Sequence, residues 1–124
     1  MATSVKELMA QANQAAPRIS AAEAKQKLAA GALLLDVRDG TELQASGKLK
    51  GALHVSRGLL EFKADPESPA HDPQFRKDRT IVLHCASGGR SALAGKTLKD
   101  LGYTSVFNLG GFKDAVDGGM EVEK

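Results

Sequence analysis

Apolar residues in this chain fall in short runs separated by polar, helix-patterned stretches, and the alternation repeats several times. "ALLLDVR" (32–38) is continuously apolar until Asp36 and Arg38, the pattern of a strand buried on both faces whose C-terminal end meets a polar rim. "ALHVS" (52–56), "TIVLHC" (80–85) and "SVFNL" (105–109) read as further strands. Val5, Leu8, Met9 and Ala12 recur at helical spacing ahead of Pro17, which predicts a short amphipathic helix over 3–15. Ser20 and Glu23 have capping-box spacing before "AAEAKQKLAAG", so a second helix starts there and stops at Gly31. "TELQAS" predicts one or two helical turns and "GLLEFKA" another short helix. "GRSALAGKTLKDLGY" predicts a longer one, with Ala92, Leu93, Lys96, Leu98 and Leu101 on a partly apolar face, and "GGFKDAVDGG" a closing helix. "DPESPAHDP" holds three of the four prolines and reads as loop. The connection through 65–75 is longer than the fold needs, either an exposed insertion or a segment that selects partners.

Strands alternating with helices predict an α/β fold, an open, mainly parallel central sheet with helices on both faces. The expected division is an N-terminal helical extension, 1–18, followed by one domain, 19–124. In such sheets ligands sit at the carboxyl ends of the strands. That edge is where the pattern puts Cys85 and the cluster Asp36 to Arg38.

Composition narrows the chemistry. Seventeen Lys and Arg against fifteen Asp and Glu give a formal charge of +2, with both signs dispersed, so no nucleic-acid footprint is expected. A single Cys excludes an internal disulfide, and no Cys/His spacing fits a metal, so neither metal nor cofactor is expected. The N-terminal stretch carries Glu7 and lacks a long apolar run, which predicts neither a membrane span nor a secretory leader and points to a reducing, cytoplasmic setting. The oligomeric state stays open between monomer and homodimer, with the N-terminal helix as a candidate contact.

The lone cysteine opens "CASGGR" (85–90). Ala86, Ser87, Gly88 and Gly89 have small or absent side chains, which lets successive backbone N–H groups converge on one point, and a helix starting near Ser91 aims its N-terminus there. Helix N-termini and nearby cations bring a thiol from about 8.5 into the range of roughly 3.5 to 7.5, so a thiolate at neutral pH is reasonable. Arg90 adds a cation at the loop's end. The alternative is a buried, inert cysteine beside a tight turn. The order of strand, Cys, small-residue loop, Arg and helix favours the reactive one. No Lys follows the glycines, so a nucleotide-binding P-loop is excluded.

"LLLDVRDGTEL" with "SGKLKGALHV", and then "IVLHCASGGRSALAGKTLKDLGYTSVFNLGGFKDAV", resemble the two signatures of the rhodanese-like sulfurtransferase family over about 19–122. Lys48, Lys50 and Ala115 depart from residues common in the family, at positions that bear on packing more than on chemistry. The resemblance implies that Cys85 takes sulfur, as a persulfide, from a small anionic donor such as thiosulfate or from a persulfide donor. Loop N–H groups of 86–90 would hold it, Arg90 would attract the donor, and cyanide or an external thiol would accept the sulfur. Asp36, Arg38, Glu42 and Ser91 are expected to brace the rim. His84 precedes the nucleophile, but strand neighbours point to opposite faces, which makes it structural. His54 and His71 are expected to be solvated or incidental, and Arg57 is a candidate for the mouth of the site. Two other functions remain: a sulfur-carrier or partner-binding module, and a phosphatase or arsenate reductase of the same fold. The latter relatives resemble CxxxxxR, one residue longer than the CxxxxR found here.

Overall fold

The computed structural model describes residues 2–123 and forms an α/β fold with a four-stranded parallel sheet at its centre. The elements run α1 (Val5–Ala15), α2 (Ala21–Ala29), β1 (Leu33–Asp36), α3 (Gly40–Ser46), β2 (Lys48–Leu49) and β3 (Leu53–His54). A 3-10 turn (Arg57–Leu59) leads into α4 (Leu60–Ala64), and β4 (Ile81–Cys85), α5 (Gly89–Asp100), β5 (Val106–Gly111), α6 (Phe112–Asp117) and β6 (Val122–Glu123) follow. The sheet order is β3-β1-β4-β5, every pair parallel, with one register shift between Leu83 and His84. No described helix is long and apolar enough to cross a membrane.

Alternation along the strands divides the core in two. Leu33 and Leu35 of β1 and Ile81, Leu83 and Cys85 of β4 pack with Leu60 of α4 and Ala94 and Leu98 of α5. Leu34 and Val82 face the other way, onto Ala24 of α2 and Ala115 of α6. Helices thus cover both faces, which is why β1 and β4 are apolar at every position until their polar C-terminal ends. The capping box of Ser20 and Glu23 is present at α2.

Several elements differ from the sequence-based expectation. The buried residues of α5 are Ser91, Ala92, Ala94, Gly95 and Leu98, while Leu93 and Lys96 are half-buried. The reason is α1, which crosses α5 so closely that a Cβ on Gly95 would stand 2.5 Å from the Ala16 Cβ. A helix packed on two sides needs small residues rather than one broad apolar stripe. On α1 itself only Ala12 is buried, and Val5 and Leu8 face solvent. An antiparallel pair, β2 with β6, was not foreseen: Leu49 pairs with Val122, and Lys48 and Lys50 form ion pairs with Glu123 and Glu121. The 65–75 connection is not wholly solvated. Phe75 is buried edge-on against Tyr103, whose hydroxyl donates to the Ala64 carbonyl at 2.6 Å, and His71 Nε2 lies 3.2 Å from the Phe75 carbonyl oxygen.

Candidate functional site

β4 ends on Cys85, and α5 begins four residues later, so the turn between them lies across the carboxyl edge of the sheet. Gly88 makes that turn possible: its φ of +101° lies in the left-handed region that side chains disfavour, and it is the N-cap of α5. Its N–H then donates to Cys85 Sγ at 3.0 Å. Ala86 and Ser87 are exposed, Gly89 and Arg90 half-buried, and Cys85 itself fully buried beneath them.

Burial pushes the Cys85 thiol up, but hydrogen bonds from Ser91 Oγ and from the backbone N–H groups of Ser91, Gly88 and Ser87 outweigh it and hold the thiol below its ordinary value. The backbone share is the firmer one. Ser91 has a single hydroxyl proton, and the Asn108 Oδ1 at 2.7 Å competes for it with the sulfur at 3.4 Å. The α5 N-terminus adds partial positive charge at the same point. The arrangement can therefore hold an anion on or beside the sulfur.

Asn108 was missed by the sequence reading, although a buried polar residue inside the apolar run "SVFNL" is itself a signal. It is fully buried on β5. Its Oδ1 accepts from Ser91 Oγ and from the Gly110 N–H at 2.9 Å, and its Nδ2 donates to the Gly88 carbonyl at 3.1 Å. One side chain thus ties the C-terminal half of the loop and the start of α5 to β5.

Asp36, Arg38 and Glu42 form two separate pairs rather than one network. Asp36 and Arg38 are both buried, and the Arg38 guanidinium gives Nε and Nη2 to the Asp36 carboxylate, Nη1 to Ser46 Oγ and Nη2 to the Gly47 carbonyl. Glu42 turns to the loop instead. Its two oxygens accept from Arg90 Nη1 and Nη2 at 2.7 and 2.8 Å, and it also accepts from the Asp39 N–H. The Arg90 hydrogen bonds hold the Glu42 carboxyl down at about 2. In turn, Glu42 raises Arg90 above its already high value. The cation expected to attract the donor at the loop's end is thus matched by a carboxylate.

His84 lies on the opposite face from Cys85, 3.6 Å from Asp36 Oδ2 and beside the Phe112 ring. Burial drives its pKa below the ordinary value against the pull of Asp36, and its Nε2 has no hydrogen-bond partner among the described residues. It is in no position to act on the sulfur. Arg57 does not reach the loop: it binds Glu61 and Thr97 Oγ1 on the flank of α5. His54 is half-buried, with Nε2 at 2.6 Å from the Arg38 carbonyl oxygen.

Comparison with known proteins agrees with this geometry. A sulfurtransferase of Allochromatium vinosum is 35% identical over 79 residues, 64% of this chain and 65% of that protein. The chain spans about half to two thirds of the length of the curated relatives it matches. Among solved structures, a protein of unknown function from Rhodopseudomonas palustris, described as a possible tyrosine phosphatase, has 36% identity and a TM-score of 0.89, covering 99% of this chain and 96% of that one. The human single-domain sulfurtransferase TSTD1 has 30% identity and a TM-score of 0.70, covering 82% and 96%. The model of the rhodanese-like domain matches residues 20–117, and with the cysteine loop at the carboxyl end of β4 the chain belongs to that family.

Proposed function

We propose that this protein is a sulfurtransferase that carries a sulfane sulfur on Cys85. The thiolate attacks the outer sulfur of thiosulfate or a similar anionic donor. A bond forms between Cys85 Sγ and that sulfur, the donor's S–S bond breaks, and sulfite leaves with the bonding pair. The resulting persulfide anion is held by the N–H groups of Ser87, Gly88 and Ser91 and by the α5 N-terminus. An external thiolate or cyanide then attacks the terminal sulfur and releases the Cys85 thiolate. The acceptor comes from outside because the sequence has no second Cys. The observation that carries this reading is the lone buried thiol taking an N–H hydrogen bond at 3.0 Å while its pKa is held down. Ala86 to Arg90 form the binding loop, and Asp36, Arg38, Glu42 and Ser91 support it. A reducing cytoplasmic setting keeps such a thiol available.

The relative described as a possible tyrosine phosphatase favours a second reading. A phosphoryl group on the sulfur carries oxygens all around its central atom, and a ring of N–H donors must be wide enough to surround them. The loop here runs CxxxxR, six residues from Cys85 to Arg90, which suits a single terminal sulfur and crowds a phosphoryl group. A third reading, a carrier that loads sulfur but hands it only to a protein partner, uses the same loop.

Intact mass after mild thiosulfate treatment separates these readings. The expected result is a gain of one sulfur atom, reversed by cyanide or a thiol, and absent in Cys85→Ser. Turnover with small acceptors marks an enzyme, and loading without turnover marks a carrier. Cys85-dependent hydrolysis of aryl phosphates without any sulfur adduct would overturn the proposal.

A further inference from the structure

Cations at the carboxyl edge of the sheet are mostly neutralised. Arg38 is bound by Asp36, Arg90 by Glu42, Arg57 by Glu61 and Lys113 by Asp117. Arg18 is the exception. It is exposed and, among the described residues, has no carboxylate partner and no side-chain hydrogen bond.

Its guanidinium nevertheless packs against the loop and the end of β5. A Cβ added to Gly110, which has a φ of +97°, would fall within 3.0 Å of Arg18 Nη2, Cζ and Nε, so the guanidinium occupies the space that the missing side chain leaves. A Cβ on Gly88 would stand 2.9 Å from Arg18 Nη1. Gly88 is also the residue whose N–H is bonded to Cys85 Sγ, so the cation rests on the backbone that holds the sulfur. The backbone around Arg18 is tied to the same place. Asn108 N–H donates to the Pro17 carbonyl at 2.9 Å and the Ile19 N–H to the Asn108 carbonyl at 3.1 Å, while the Asn108 side chain holds Gly88 and Ser91. A guanidinium that packs on the loop without an acceptor of its own keeps its planar set of N–H donors available to an oxyanion.

We infer that Arg18, seated on Gly88 and Gly110, is the residue that recruits and orients the anionic donor at Cys85, a part the Glu42 pairing denies to Arg90. This rests on the reading of Cys85 as acceptor of sulfur from an anion, and the test keeps the two apart. The rates of alkylation of Cys85 by iodoacetate, an anion, and by iodoacetamide, which is neutral, are compared in the full chain and in Arg18→Gln and Arg18→Lys. Sulfur loading from thiosulfate is measured on the same samples.

At low ionic strength Arg18→Gln should lower the iodoacetate rate and the loading rate by about 3- to 5-fold. Iodoacetamide alkylation should stay unchanged, Arg18→Lys should recover most of the loss, and salt at about 0.3 M should erase the difference between the proteins. An unchanged ratio of iodoacetate to iodoacetamide rates in Arg18→Gln would overturn the inference even if thiosulfate loads normally. A changed ratio with no loading from thiosulfate in the natural protein would keep the role of Arg18 and remove the sulfur donor. Equal loss with both reagents would make Arg18 a packing residue and also overturn it; if the Gln variant melts early, the salt dependence of the iodoacetate-to-iodoacetamide ratio in the natural protein and in Arg18→Glu reads the effect, and a ratio that salt and the reversed charge both leave unchanged overturns it.

Discussion

Replacing Asp36 by Asn tests the pair on which the rim of the site is built. Asp36 sits at the end of β1 with its side chain fully buried, and Arg38 is 2% exposed. The carboxylate takes the Arg38 backbone N–H at 2.9 Å, Nε at 3.0 and 3.1 Å, and Nη2 at 2.8 Å. An Asn keeps one acceptor oxygen and turns an amide donor against the Arg38 donors, leaving a guanidinium buried over the Phe112 ring without its anion. Breaking one side of a buried pair costs about 3–5 kcal/mol. That is a large share of the roughly 5–15 kcal/mol that holds a domain together. At about 3–5 °C per kcal/mol for a chain of this size, the Tm should fall by roughly 10–25 °C. Urea unfolding and a thermal melt at pH 7.5 read the loss directly. Asp36→Asn with Arg38→Met, which removes the unpaired cation as well, should recover about half of it or more. A single-variant cost under about 1 kcal/mol, the range of an exposed ion pair, would refute the reasoning. The pH dependence has a definite sign. Burial alone would raise Asp36, but the hydrogen bonds from Arg38 bring it below its ordinary value. Its contribution is therefore complete above the ordinary Asp range and is lost as pH falls through the folded value. Burial lowers His84, so the unfolded chain takes up that proton first and stability starts to fall below about 6.5. Glu42 adds a loss between 4.5 and about 2.

The pH profile of Cys85 alkylation by iodoacetamide should have its midpoint below that of a free thiol, and Ser91→Ala should move the midpoint upward by removing the hydroxyl beside Sγ. A wild-type midpoint at or above the free-thiol value would mean a buried, inert cysteine. Gly95→Val should separate α1 from α5, because its side chain has no room beside Ala16, and cost about 1–3 kcal/mol by urea unfolding. An unchanged stability would show that α1 contributes nothing to the fold.

Local features of the chain carried much of the fold. The two apolar runs ending at Asp36 and Cys85, the Ser20–Glu23 capping box and the small-residue turn before α5 each act over a few residues, so their pattern is enough to place them. The same is true of the alternation that puts His84 and Cys85 on opposite faces, since a strand's period of two is a property of its own backbone. Short pairings between distant segments left no such trace. The two residues of β2 find β6 only when the C-terminus folds back, and α5 needs small residues only because α1 crosses it. The charges of the site follow the same rule. Arg90 reads in sequence as a cation at the loop's end, and its partner Glu42 stands 48 positions away; Arg18 is no more than the last residue of the N-terminal extension until β5 and the loop bring Gly110 and Gly88 beside it. Sequence spacing sets which residues can share an element, but a charge is matched or left open by whatever the packing of separate elements brings within a few ångströms, and that is decided only in three dimensions.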